Sequence, residues 1–185
     1  TFSIENEPVV ELVNNREREY IFADLPDIGY STDIDTVMAS SYQVKKQLQQ
    51  IVKIEQPITN TLLYKRILRI WNLTRVTTRL QVFIDNLLED AYKDPLSGDT
   101  IIYWEDEEKA KDCDFYRINS KRDILDIPIL EVMSAARYAI EQQISMPTED
   151  LKRLTSQLLG FSRKGNNLDM VTEQTIQLLI DQGIF

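Results

Sequence analysis

Apolar residues recur at spacings of three and four along most of this chain, which is the signature of helices that bury one face. The run Val37, Tyr42, Val44, Leu48, Ile51, Val52, Ile54 predicts a helix over 36–55, closed by Pro57. Leu62, Leu63, Ile67, Leu68 and Ile70 predict a second over 61–71, with Thr59 or Asn60 as its cap. Asn72-Leu73-Thr74 make a turn, and Thr77 or Thr78 opens a third helix to about Tyr92, with Leu80, Phe83, Ile84, Leu87 and Leu88 inward. Ser97-Gly98-Asp99 is a turn. Thr100–Trp104 then reads as a strand whose expected partner is 114–118, where Phe115 and Tyr116 favour strands. The order returns after Pro128: a helix over 129–143, another over 148–159 capped by Thr148, a turn at Gly160, and a last helix from Gly165-Asn166-Asn167 to about Gln182, stopped by Gly183. The opening is less regular. Pro8, Asn14-Asn15, Pro26 and Gly29 interrupt it, Tyr20–Ala23 is a short strand or anchoring arm, and 31–35 is a helix entry.

The two halves are related by a shift of 88 residues. Without gaps, Leu63 falls on Leu151, Lys65 on Arg153, Ile70 on Leu158, Arg75 on Arg163 and Leu80 on Leu168. In each half a helix ends in an aromatic or apolar pair, a small polar residue and an arginine: Trp71-Asn72-Leu73-Thr74-Arg75 and Leu159-Gly160-Phe161-Ser162-Arg163. Helix, short turn, helix is the core of the helix-turn-helix folds, and three helices followed by a β-hairpin is the winged-helix order. The expected fold is therefore mostly α with a small β-hairpin, built as two tandem winged-helix or helix-turn-helix-like units. An acidic irregular arm over 1–35 precedes a first winged-helix-like unit over 36–118 and a second unit, lacking a wing, over 119–185.

Charge sharpens this picture. The 185 residues carry a formal net charge of −9. Residues 1–35 hold nine acids and two arginines, and 89–114 hold ten acids and three lysines. Against that background 56–84 is free of acids and holds Lys65, Arg66, Arg69, Arg75 and Arg79, while 151–168 is also acid-free and holds Lys152, Arg153, Arg163 and Lys164. In a helix-turn-helix the start of the last helix reaches the groove, and flanking basic, hydroxyl and amide groups hold phosphates. The candidate nucleic-acid-binding residues are accordingly Lys65, Arg69, Arg75, Thr77, Thr78 and Arg79 in the first half, and Arg163, Lys164, Asn166 and Asn167 in the second. Backbone N–H groups at those helix starts would add to phosphate affinity. The competing reading is that Arg75 and Arg163 are structural, that the cations pair with the acidic blocks, and that the chain is a protein-docking module; the net acidic composition favours it.

Catalysis by this segment is not expected, and neither is a cofactor. There is no histidine, which removes the commonest general base and zinc ligand. The lone Cys113 lies between Asp112 and Asp114, whose charge disfavours a thiolate. No phosphate-binding loop, dinucleotide fingerprint or nucleophile elbow is present. Glu105-Asp106-Glu107-Glu108 reads as a solvated acidic loop rather than a metal site, because consecutive side chains diverge. No apolar run is long enough to cross a bilayer, so no membrane partner is expected. The chain opens on Thr1-Phe2-Ser3 without an initiator Met, a basic n-region or an apolar h-region, and the expectation is a segment cut from a longer cytoplasmic protein.

The run Ile51-Val52-Lys53-Ile54-Glu55-Gln56-Pro57-Ile58, followed by Leu62 to Arg75, resembles an uncharacterised bacterial domain family. That family sits at the C-terminal end of very large superfamily-1 helicase-like proteins, many of which also carry a nuclease domain of the very-short-patch-repair type. Leu158-Leu159-Gly160-Phe161-Ser162-Arg163 is similar to the family's second element, a Leu-Gly-Phe followed one residue later by Arg, and the likeness extends over roughly 20–185. The sequence departs from the family at Gln56 and Asn72, where glycine is usual for a tight turn. The resemblance implies an accessory domain that positions DNA or RNA for the helicase motor, or contacts other domains of the parent chain, in genome defence or repair. The family's helicase and nuclease motifs lie outside this segment, so the resemblance supplies no catalytic residue.

Overall fold

The computed structural model describes residues 14–143 and 145–185. The first part of the acidic arm, 1–13, including Pro8, lies outside the described residues. The rest is mostly helical with a few short strands. In chain order the elements are β1 (Glu17–Glu19), α1 (Ile34–Ala39), α2 (Ser41–Glu55), β2 (Ile58–Thr59), α3 (Asn60–Ile70), α4 (Thr78–Leu87), β3 (Tyr92–Lys93), β4 (Ile102–Trp104), α5 (Glu107–Lys111), β5 (Tyr116–Ile118), a 3-10 turn (Ile124–Asp126), α6 (Ile129–Glu141), α7 (Thr148–Leu158) and α8 (Asn166–Asp181).

The 88-residue shift is a structural repeat. Helices α2 and α6 start at Ser41 and Ile129, α3 and α7 at Asn60 and Thr148, and α4 and α8 at Thr78 and Asn166, each pair 88 apart. The turns match atom for atom. Leu73 N donates to Leu68 O and Asn72 N to Arg69 O; Phe161 N donates to Ser156 O and Gly160 N to Gln157 O. This is one C-terminal helix cap used twice, and it needs a left-handed residue just past the helix. Gly160 fills the place with φ 89 and Asn72 with φ 48. Asparagine tolerates that region better than other residues with a Cβ, which is why the first copy makes the turn without a glycine.

The expected 36–55 helix divides at Ser40, whose hydroxyl donates back to Thr36 O (3.0 Å). Such back-bonding competes with the helical ladder. The third helix stops at Leu87, and Tyr92–Lys93 becomes a strand. Thr148 is the first residue of α7 and not its cap; Pro147 takes that position without a side-chain bond.

The expected pairing of 100–104 with 114–118 does not occur. β4 is instead the centre of an antiparallel sheet in the order β2-β4-β3, with Ile58 opposite Tyr103 and Tyr92 opposite Trp104. The hairpin is thus β3–β4. β5 pairs in parallel with β1, Glu17 opposite Tyr116. Two local features separate β4 from β5. Asp106 caps α5 by accepting from Lys109 N (2.9 Å), so 105–108 is partly helical rather than a loop. Arg117 is drawn the other way, into the interior.

That interior holds the principal polar cluster of the molecule. Glu131 is completely buried, and both Arg117 and Arg122 grip it. Arg117 donates from its backbone N (3.0 Å) and Nε (3.1 Å) to Oε2, and Arg122 donates from Nη1 (2.8 Å) and Nη2 (2.9 Å) to the two oxygens. The far side of the Arg117 guanidinium donates to the carbonyls of Glu55 (2.7 Å) and Pro57 (2.6 Å), at the junction of α2 and β2. One cluster therefore joins the α6–α8 half to the α2–α4 half. Tyr20, in the arm, lies over both arginines, its ring centroid 4.3 Å from the Arg122 guanidinium carbon and 5.0 Å from that of Arg117. Apolar cores flank the cluster: one around Leu48, Ile51, Leu63, Ile67, Leu80 and Ile84, and others around α6, α7 and α8.

Burial alone would push the Glu131 carboxyl up, but Arg117 and Arg122 outweigh it and hold the group below its ordinary value of 4.5. A depressed folded-state value means that this contribution to stability is complete above the unfolded value and is lost as pH falls below it. Glu131→Gln should therefore cost about 3–5 kcal/mol near neutral pH, by leaving two guanidinium groups uncompensated, and should flatten the loss of stability on acidification; urea unfolding from neutral pH to below 4.5 measures both. At the repeated turns, Gly160→Ala should destabilise by about 1 kcal/mol, while Asn72→Gly should be neutral or stabilising, read in the same unfolding assay.

Candidate functional site

The ten residues expected as phosphate contacts fall into two groups, one around the α3–α4 connection and one around the α7–α8 connection. The helix starts are exposed as expected, but most of the surrounding cations are engaged. Lys65 Nζ is 2.6 Å from Asp126, whose side chain is buried. Arg79 pairs with Asp35 at 2.8 Å, both exposed. Arg69 stacks on the Phe22 ring, 5.1 Å from its centroid. Thr77 is the α4 cap, its hydroxyl accepting from Leu80 N (3.2 Å), while Thr78 is exposed on the first turn. Arg75 is exposed and has no carboxylate within ion-pair distance among the described residues.

The neighbouring Arg66 is more firmly held. Its Nη2 is 2.8 Å from Glu55, which also accepts from Ala23 N (3.1 Å) and from the Tyr20 hydroxyl. The ring of Phe22 lies 4.3 Å from the Arg66 guanidinium. Burial and the Glu55 charge both push the Tyr20 phenol well above its ordinary range. The segment around Tyr20 is thus an anchoring arm, packed against the outer face of α3. Residues 56–84 contribute five cations to this surface; Glu55, Asp35 and Asp126, all outside that stretch, remove three charges and leave two.

At the second turn Lys152 pairs with Glu149 (3.1 Å) and Glu173, and Arg153 with Asp150 (3.1 Å). Arg163, Lys164, Asn166 and Asn167 are exposed, and α8 begins at Gly165 with no side-chain cap. An open cleft of about 380 Å³ between α7 and α8 brings Arg163 and Lys164 together with Lys152 and Arg153, but Glu149, Asp150 and Asp169 line it too. Four cations face four acids there, counting Glu173. Neither turn carries the strongly positive face that the linear charge count suggests.

A second concave surface was not anticipated. A groove of about 440 Å³ lies between the 96–102 loop, the 3-10 turn and α8. Its floor is apolar, with Ile102, Ile124 and Ile127 buried, and its rim exposes Leu125 (43%) and Met170 (55%). The sequence signal available was Met170, Gln174 and Leu178 at spacings of four, a line that continues outside the buried stripe of α8. The Arg117–Glu131–Arg122 cluster also escaped the sequence reading. Its signal was a lone Glu131 inside Ile129-Leu130-Glu131-Val132-Met133, a setting that demands a buried cation.

No cluster of three or more potential metal ligands occurs among the described residues, and no helix there is long and apolar enough to cross a membrane. The Cys113 thiol is pushed up to about 12, first by burial and then by the Glu131 charge, rather than by its sequence neighbours.

Because its hydroxyl caps α4, Thr77 is occupied structurally. Thr77→Ala should lower stability by about 1 kcal/mol and Thr77→Asp should retain it, as measured by chemical denaturation.

A family described as a protein of unknown function (DUF3320) matches residues 39–82, from the end of α1 into α4. The match spans α2 and α3 and reaches into α4, and the chain is similar to that uncharacterised family over this stretch. No curated protein and no solved structure matches the chain.

Proposed function

We propose that this chain is a non-catalytic docking module, an accessory domain of a larger bacterial, cytoplasmic helicase-like protein, whose two tandem helix-turn-helix units serve protein contacts. The fold reading is supported in the first half by the order helix, strand, helix, helix, strand, strand, with β4 between β2 and β3, as a winged helix requires. The second half, α6–α8, repeats the three helices. The helicase context rests on the resemblance of 51–75 and 159–163, with which the match to an uncharacterised family over 39–82 agrees.

The observation that carries docking over nucleic acid is the engagement of the cations. Of nine Lys and Arg residues in the two acid-free stretches, five sit in ion pairs: Lys65, Arg66, Arg79, Lys152 and Arg153. An exposed pair such as Arg79–Asp35 is worth at most about 1 kcal/mol and yields to a phosphate. Lys65 and Arg66, against buried carboxylates, do not yield so readily. With a net charge of −9 around them, Arg75, Arg163 and Lys164 are a small basis for phosphate affinity.

A second reading keeps one specific observation in its favour. Arg163, Lys164, Asn166 and Asn167 are exposed around the uncapped start of α8, the arrangement that would position a nucleic-acid backbone for a motor. Fluorescence anisotropy of labelled single-stranded DNA, duplex DNA and RNA, at low and near-physiological salt, separates the two. Docking predicts no saturable binding at near-physiological salt. Saturable binding that weakens with salt and disappears with Arg75→Glu and Arg163→Glu, in variants of unchanged thermal stability, would establish the nucleic-acid reading instead.

A further inference from the structure

We infer that the groove between the 96–102 loop, the 3-10 turn and α8 receives an amphipathic helix of a partner protein, with apolar anchors on one face and Lys or Arg on its flanks; this deepens, and rests on, the docking reading. The shape comes first. Met170, Gln174 and Leu178 line the groove at spacings of four along α8, a ridge of about 12 Å. A partner helix laid against such a ridge places side chains at i, i+4 and i+7 or i+8 over the same distance. Ile102, Ile124 and Ile127 form a buried apolar floor for those anchors, and Leu125 and Met170 stand exposed on either side. The floor is assembled from both halves of the chain, so the groove exists only when the two are joined.

Charge selects the partner. The three wall segments, 96–102, 123–129 and 166–181, contain Asp99, Asp123, Asp126, Asp169, Glu173 and Asp181 and not one Lys or Arg. Asp126 is taken by Lys65 and Glu173 by Lys152. Asp169 lines the cleft on the other side of α8. Asp123 lines the adjoining cleft together with Arg163 and caps the 3-10 turn. Asp99 in the lining and Asp181 three residues beyond Leu178 remain, exposed and without an ion pair among the described residues. An apolar floor whose walls carry exposed carboxylates and no cation is complementary to a basic amphipathic helix and disfavours an acidic one.

Three synthetic peptides of equal length test this against the whole chain: leucines at helical spacing with lysines elsewhere; the same leucines with glutamates; and the first composition scrambled so that no apolar stripe forms. Titration calorimetry should give saturable one-to-one binding for the first only. Met170→Lys should weaken it at least about tenfold, as should Leu125→Ser; both positions are exposed, and urea unfolding confirms that the variants fold. Equal binding of the scrambled peptide overturns the proposal, because bulk acidity then suffices. So does an affinity unchanged by both substitutions, or no binding of the first peptide. Those results leave the docking reading standing, whereas saturable oligonucleotide binding at near-physiological salt overturns the docking reading itself.

Discussion

Glu131 is a single carboxylate shared by two guanidinium groups in a site closed to water. A buried charge left alone costs several kcal/mol, so Arg117 and Arg122 cannot be placed there without it, nor it without them. The excess positive charge is spread further. Arg117 donates to the carbonyls at the end of α2, where a helix otherwise leaves acceptors unsatisfied, and the Tyr20 ring covers both arginines. The consequence is architectural. Residues from the arm, from the end of the first helical half and from the start of the second meet at one polar point, and their relative placement is set by satisfying it. Within this cluster Arg122 Nε lacks a partner among the described residues.

Around that point the molecule uses one design twice. α2–α4 and α6–α8 begin their helices in the same register, and both central helices end in the same cap. The copies differ in their strands. The first has β2 between α2 and α3 and continues from α4 into β3 and β4, whereas no strand lies between α6 and α8 among the described residues. The groove draws on both copies, since the 96–102 loop of the first half, which leads into β4, forms one wall and α8 of the second forms another.

The charge pattern shows where a linear reading misleads. The acid-free stretches are bounded by the acids that neutralise them: Glu55 immediately precedes the first and binds Arg66, and Asp150 immediately precedes the second and binds Arg153. Asp35, Asp126 and Glu173 arrive from farther along the chain. Of the candidate site, the exposed helix starts were legible, because caps and turns are local. The state of Lys65 and Arg79 was not, because their partners Asp126 and Asp35 lie far away in sequence, whereas Lys152 and Arg153 pair locally with Glu149 and Asp150.

The sequence by itself determined the helical periodicity, the 88-residue repeat and the glycine turn at Gly160, and narrowed two caps to Thr59 or Asn60 and Thr77 or Thr78; helix, turn and cap each depend on contacts within a few residues. It left open which strand pairs with β4, because 102–104 is compatible with any extended neighbour and the choice falls to Ile58–Thr59 and Tyr92–Lys93 through packing. The destination of Arg117, the neutralisation of Lys65 and the apolar groove were likewise decided only in three dimensions. Each joins residues dozens of positions apart, and no local spacing encodes such a meeting.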